Sequence, residues 1–256
     1  MACPAPSSVM PRSRGNLTNR RLARRRAAVL TAVVALQAFP ADAQDHSGKL
    51  TAAVYTADDQ VTTDLNVRYS THRWTGWVGW YGPQDDIRQS RAGIEYDLKH
   101  DWLALVPSVQ VASRSFVGGS FYSETGRTLY LIAGVSRTNL KPYANLTFDP
   151  NESWQLGAGV HIGKSDSVAA FAIWDNRLDT GQQNSHVVIR HYMPRARRLT
   201  LDVSYKSGRD DEGTYLRGSG EAMEYDWQRW FVKLARDEHV NFTAPTMWRA
   251  GGGFRF

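Results

Sequence analysis

From residue 50 onward the apolar residues of this 256-residue chain recur in steps of two. Asp64–Ser70 sets Leu65, Val67 and Tyr69 on one face and Asp64, Asn66 and Arg68 on the other. Trp154–Lys164 sets Trp154, Leu156, Ala158, Val160 and Ile162 against Gln155, Gly157, Gly159, His161 and Gly163. Leu199–Lys206 sets Leu199, Leu201, Val203 and Tyr205 against Thr200, Asp202, Ser204 and Lys206. Successive side chains of a strand point to opposite faces, so this alternation predicts strands with two unlike faces. Further candidates are Leu50–Thr56, Arg73–Tyr81, Arg91–Leu98, Leu103–Arg114, Thr128–Ser136, Tyr143–Phe148, Val168–Trp174, His186–Met193, Asp226–Arg236 and Met247–Phe256. Turn-forming residues such as Asp58-Asp59, Gly82-Pro83, Asp149-Pro150-Asn151 and Met193-Pro194 separate them. No segment carries a sustained helical stripe.

A soluble sandwich turns the apolar faces into a shared core, whereas a membrane barrel turns them toward lipid and the polar faces toward its lumen. Both demand the same alternation, so other features decide. The polar faces carry mid-strand charges, which either arrangement tolerates. The tryptophans Trp74, Trp80, Trp102, Trp154, Trp174, Trp230 and Trp248 fall near strand ends, where indole rings form the interfacial girdles of barrels. The chain closes on Met247–Phe256 (MWRAGGGFRF), with Trp248, Phe254 and Phe256 on one face. That segment resembles the terminal strand of bacterial outer-membrane β-barrel proteins, whose final Phe is part of an assembly signal. The resemblance implies an all-β, antiparallel, up-and-down transmembrane barrel, with Phe256, Phe254 and Trp248 read by barrel-assembly machinery. It further implies residence in the outer membrane of a Gram-negative bacterium, among outer-membrane lipids and lipopolysaccharide, with a monomer favoured.

Thirteen segments are odd, and a barrel with both ends in the periplasm needs an even number. Either Thr214–Gly220 is an additional short strand, giving fourteen, or two earlier segments are one, giving twelve; twelve are expected, with ten and fourteen open. Short turns near Ser70-Thr71, His100-Asp101 and Pro194–Arg197 fall on one side of such a barrel. The longer links Ser115–Arg127, Asn176–Gln183 and Ser207–Tyr225 fall on the other.

The basic composition, 31 Lys and Arg against 25 Asp and Glu, changes meaning once the charges are located. Seven arginines precede an apolar run, Ala27–Phe39, which leads into Ala41-Asp42-Ala43. This order is that of a secretory leader, and a run of thirteen residues, only Thr31 and Gln37 of them polar, falls short of the roughly 20 that a spanning helix needs. Residues 1–43 are expected to be removed, leaving 44–256 as the barrel. Without the seven arginines and Asp42, 24 basic and 24 acidic residues remain, so nothing favours a nucleic-acid partner. The single Cys3 leaves with the leader, and no metal or other cofactor is implied.

If the apolar face points outward, Arg68, Arg73, Arg91, Arg114, Arg190, Lys206, Arg229, Lys233, Arg249 and Arg255 point inward against Asp64, Glu95, Asp97 and Asp202. Tyr55, Trp77, Tyr81, Tyr143 and Tyr192 lie between them. Guanidinium groups offer planar forks to carboxylates, and charged rings set pore selectivity. A small passive channel favouring anionic or sugar-like solutes is one expectation. A closed barrel plugged by charges that pair with one another is another. A lipid- or peptide-hydrolysing barrel would need a His with a nucleophile. Ser185-His186 with His191 is the nearest arrangement, but Ser185 and His186 must face opposite ways on a strand. No catalytic residue is assigned.

Overall fold

In the computed structural model, residues 46–58, 60–83 and 88–256 are described; the proposed leader lies outside them. The strands are β1 (His46–Ala57), β2 (Gln60–Thr71), β3 (Trp74–Pro83), β4 (Gln89–Tyr96), β5 (Leu98–His100), β6 (Leu103–Ala112), β7 (Phe116–Gly126) and β8 (Leu129–Thr138). They continue as β9 (Ser153–Ile162), β10 (Asp166–Asp175), β11 (Gln182–Met193), β12 (Arg197–Arg209), β13 (Tyr215–Trp227), β14 (Trp230–Asp237) and β15 (Met247–Arg255). Each pairs antiparallel with its neighbours in sequence, except that β4 and β5 both pair with β6 and not with each other. The sheet closes where β1 meets β15, so no edge is left to pair with another chain.

The barrel has fourteen strands rather than twelve, because β4 and β5 occupy one position. Glu95 pairs with Ser108 and Leu98 with Leu105, so the register against β6 continues in step across the gap. The gap falls opposite Pro107, which has no N–H to donate. Two strands are absent from the thirteen segments, although the second overlaps Thr214–Gly220, the additional short strand that a count of fourteen requires. Phe116–Gly126 lies inside the expected outer link Ser115–Arg127, and Tyr215–Trp227 starts inside the expected link Ser207–Tyr225 and runs two residues beyond it. Their Gly, Ser and Thr content resembles loop composition; on β13 the inward Gly218 and Gly220 face crowded space, a Cβ there meeting Glu238 and Ser204 within 3 Å. Conversely, Tyr143–Phe148 is no strand; it belongs to a link of residues 139–152 without regular structure.

Large apolar side chains stand exposed on the outer face, Leu129 at 68% and Trp154 at 69%. Exposed apolar surface on this scale is foreign to a water-soluble monomer and suited to lipid. Trp74, Trp102, Trp227 and Trp230 mark one end of this band; Trp80, Trp154 and Trp248 mark the other. Polar side chains are buried on the inner face, among them Asp64, Asn184, His186, Lys206, Asp226 and Asp237. Both described chain ends lie at the end where β2 turns into β3, β13 into β14 and β11 into β12 within two or three residues. The longer links 139–152, 176–181 and 238–246 lie at the opposite end.

Candidate functional site: the lumen and its inserted loop

The inner wall is divided by charge. From β11 through β15 and on to β4 it carries Arg190, Arg198, Asp202, Lys206, Glu224, Asp226, Lys233, Asp237, Arg249, Arg255, Lys49, Asp64, Arg68, Arg91 and Glu95. From β6 to β9 it carries the uncharged Ser108, Gln110, Gly118, Ser120, Gly134, Gln155 and Gly157 and the larger Tyr122, Tyr130, Ile132 and His161, with Glu124 the one carboxylate among them.

Most charges on the dense arc pair by reaching across an intervening strand. Arg68 of β2 makes a two-pronged contact with Glu95 of β4, at 2.9 and 3.0 Å. Arg91 of β4 donates to Asp64 of β2 at 2.6 Å. Both cross β3, and Gly79 makes room for the second: a Cβ there would lie 2.8 Å from Arg91 Nε. Lys206 Nζ reaches Asp237 at 2.6 Å across β13. Near the short-turn end Arg198 and Arg255 share Asp226, while Lys233 pairs with Glu224. Among the described residues Lys49, Arg190 and Arg249 have no carboxylate partner. Lys49 lies over the Phe231 ring and Arg249 over the Phe148 ring, at 4.4 and 5.1 Å.

Of the residues expected inside, Arg68, Arg91, Arg190, Lys206, Lys233, Arg249, Arg255, Asp64, Glu95 and Asp202 stand on the inner face, as does Asp97 by its parity with Glu95. Arg73, Arg114 and Arg229 do not; each sits in a hairpin turn. Arg229 was misplaced because Trp227 pairs with Trp230 around a two-residue loop. Parity therefore flips there, from even positions inward on β13 to odd positions inward on β14. The same flip concealed Glu224 and Asp226, whose signal is present once Tyr215–Trp227 is taken as a strand. With those acids in place the lumen is far closer to neutral than ten cations against four anions.

The link 139–152 folds into the lumen. Its base is held by Glu152, which accepts the Thr138 amide at 2.7 Å and pairs with Arg177. Within it, Asn145 Oδ1 accepts the Thr147 amide at 3.0 Å and hydroxyl at 2.7 Å, a local turn typical of Asn. Tyr143 stacks on Phe116 of β7 at 4.1 Å, and the Ala144 amide donates to Gln89 of β4 at 2.8 Å. Arg249 donates to the Leu146 carbonyl at 3.3 Å. Leu146 and Phe148 bury themselves against Tyr55, Tyr81 and Val240, an apolar cluster inside the barrel. Asp149 then meets His186 Nε2 at 3.0 Å and the Asn184 amide at 2.6 Å. The other ring nitrogen of His186 faces Asp202 at 2.9 Å, while Ser185 points to the outer face.

Under the loop lies a cavity of about 220 Å³, bounded by Tyr55, Asp64, Asn66, Arg91, Thr147, Lys233 and Arg249 among others. Arg91 Nε and Arg249 Nε are buried without a hydrogen-bond partner, a condition that costs about 1–3 kcal/mol per donor.

At the seam, Phe256 exchanges two backbone hydrogen bonds with Gly48, at 2.6 and 2.9 Å. Its ring covers Gly48, where a Cβ would approach within 2.3 Å. Phe254 lies between Trp230 and Phe256, with ring centroids 4.9 and 6.2 Å away.

No family model and no curated protein matches the chain. Among solved structures it is similar to the outer membrane protein Omp33 of Acinetobacter baumannii, with 8% identity and a TM-score of 0.55 over 84% of this chain and 100% of that one. It is similar also to the KdgM porin, with 12% identity and a TM-score of 0.45 over 81% and 99% of the two chains. A mutant of the Rh. blastica porin gives 10% identity and a TM-score of 0.47 over 82% and 99%. With its closed sheet, aromatic-bounded apolar exterior and likeness to Omp33, the chain has the fold of the bacterial outer-membrane β-barrel proteins.

Proposed function

We propose that residues 44–256 form a passive pore in the outer membrane of a Gram-negative bacterium, narrowed by the link 139–152 and favouring small anionic or sugar-like solutes. The observation that carries this reading is the asymmetry of the lumen. The loop rests largely on the charged arc, while on β6 and β7 the inner face at mid-height keeps the small or uncharged Ser108, Gln110, Gly118 and Ser120, with Tyr122, Tyr130 and Ile132 clustered nearer the short-turn end. Ser120 shows the space left at mid-height: it points inward, with its hydroxyl 2.7 Å from that of Ser108, and is nevertheless exposed. The preference for anions rests on Lys49, Arg190 and Arg249, which among the described residues form no salt bridge with a carboxylate. Single-channel recording in a planar bilayer should show conductance with an anion-selective reversal potential. Replacing Arg190 and Arg249 with Glu should move that potential toward cations, because selectivity follows the fixed charge of the wall. A conducting but cation-selective wild type would overturn the solute preference.

The apolar cluster of Leu146, Phe148, Tyr55, Tyr81 and Val240 inside the barrel favours a second reading, a closed barrel with a built-in plug. A silent wild type that conducts after deletion of residues 141–148 would decide for the plug. Catalysis is the weaker alternative, since both nitrogens of His186 already face carboxylates.

Export with removal of residues 1–43 belongs to the same proposal, and N-terminal sequencing of the purified protein should begin at or near Gln44. Recognition of Trp248, Phe254 and Phe256 by barrel-assembly machinery belongs to it as well. Deleting Phe256 removes its two backbone hydrogen bonds to Gly48 at the end of the seam and uncovers that glycine. The truncated chain should accumulate in a protease-sensitive form, and normal heat-modifiable migration on gels would count against that role.

A further inference from the structure

We infer that the cavity under the loop is a binding site for a small hydroxylated monocarboxylate, a sugar acid in chemical class. The inference rests on the pore reading for its biological sense, but its evidence is local.

The cavity brings together two guanidinium groups whose Nε–H donors have no partner, Arg91 and Arg249. The Arg91 side chain is only 8% exposed, so water does not freely serve it. Each guanidinium already spends another nitrogen on a fixed acceptor: Arg91 Nη2 on Asp64 and Arg249 Nη1 on the Leu146 carbonyl. Those contacts orient the planar groups and leave donors over, which is the arrangement a carboxylate with several lone pairs can complete.

Charge sets the valence of the ligand. Arg91, Lys233 and Arg249 line the cavity with Asp64, and Lys233 is paired with Glu224 outside the lining. Two of the three cations are thus neutralised and Arg249 is not, so one negative charge balances the site. The remaining walls suit hydroxyl groups: Thr51, Thr147 and the Asn66 amide offer donors and acceptors, and Tyr55 offers a ring face. A cavity of about 220 Å³ holds several waters' worth of solute, sized for a monomer and not for a long chain. Because Thr147 and Leu146 belong to the inserted loop, the ligand would bridge loop and wall.

The test is direct binding of gluconate to the full barrel in detergent at low salt, by titration calorimetry, with glucose and glucosamine as neutral and cationic counterparts. Gluconate should saturate one site per chain, and the two counterparts should not. Arg249→Gln should weaken gluconate at least tenfold, while Arg127→Gln, in the exposed turn between β7 and β8, should leave it unchanged. Asn66→Asp adds a negative charge at the cavity wall and should abolish binding; heat-modifiable migration verifies that both variants fold. No saturable gluconate binding, equal binding of glucose, or an unaffected Arg249→Gln would overturn the site. Conductance is measured separately: a barrel that conducts without binding gluconate refutes the site and leaves the pore intact. One that binds gluconate without conducting refutes the pore and leaves the site.

Discussion

Lys206 Nζ donates to Asp237 Oδ2 at 2.6 Å across a strand that contributes no side chain between them, both groups at most 3% exposed. Lys206 pairs in register with Gly218 and Asp237 with Gly220. A Cβ at Gly220 would lie 2.9 Å from Asp237 Oδ1, so the bare strand is what lets the ion pair form. Removing one partner leaves a buried charge. Asp237→Ala should therefore cost about 3–5 kcal/mol in urea unfolding from detergent, whereas the double change of Lys206 to Met and Asp237 to Leu should recover much of it. Equal losses in the single and double variants would contradict this account.

Gly79 serves the Asp64–Arg91 pair in the same way. Gly79→Val would push the Arg91 side chain off its 2.6 Å contact with Asp64 and press on Asn66, whose amide lies 3.0 Å from the added Cβ. A loss of about 1–3 kcal/mol is expected from overpacking, measured as a lower temperature for loss of heat-modifiable migration. An unchanged transition would mean that Arg91 has a second low-energy position.

Asp149 is the outer latch of the inserted loop, holding His186 and Asn184 together. Asp149→Ala leaves those two groups short of a partner and frees one strut of the loop. If the barrel conducts, the variant should show larger or noisier single-channel currents. Currents identical to wild type would place the constriction elsewhere, with the apolar contacts of Leu146 and Phe148 sufficient to fix the loop.

Glu238, in the link after β14, accepts the Ser219 amide at 2.9 Å and the Arg236 guanidinium at 2.5 Å. The Ser219 amide first, and then Arg236, hold its carboxyl down at about 2, against an ordinary 4.5. A depressed carboxylate stabilises the fold fully above its unfolded value and loses that contribution as pH falls through the folded one. The anchor of this link should thus persist at pH 3.5 and fail near pH 2. A carbonyl NMR titration of Glu238 with a midpoint near 4.5 would refute it.

The class of fold was legible in the sequence because period two is imposed locally. One face of every strand meets lipid, so Leu65, Leu156 and Leu201 had to alternate with polar neighbours whatever their partners. The terminal aromatics and the place of the tryptophans at strand ends follow from the same solvent boundary. Strand number was less legible, since Phe116–Gly126 carries Gly, Ser and Thr on both faces and Tyr215–Trp227 carries Gly218 and Gly220 where the Lys206–Asp237 pair crosses it, which gives both the small residues of loops. Luminal charge was legible only in part: parity found Arg68, Arg91 and Arg249 but is reset at each turn, so one misjudged hairpin placed Arg229 inside and hid Glu224 and Asp226. The ion pairs across β3 and β13 and the folding of residues 139–152 into the lumen were decided by the tertiary structure alone. Each depends on strands at different positions around the closed wall meeting through a third, and no local pattern in a chain records which residues a barrel's circumference brings face to face.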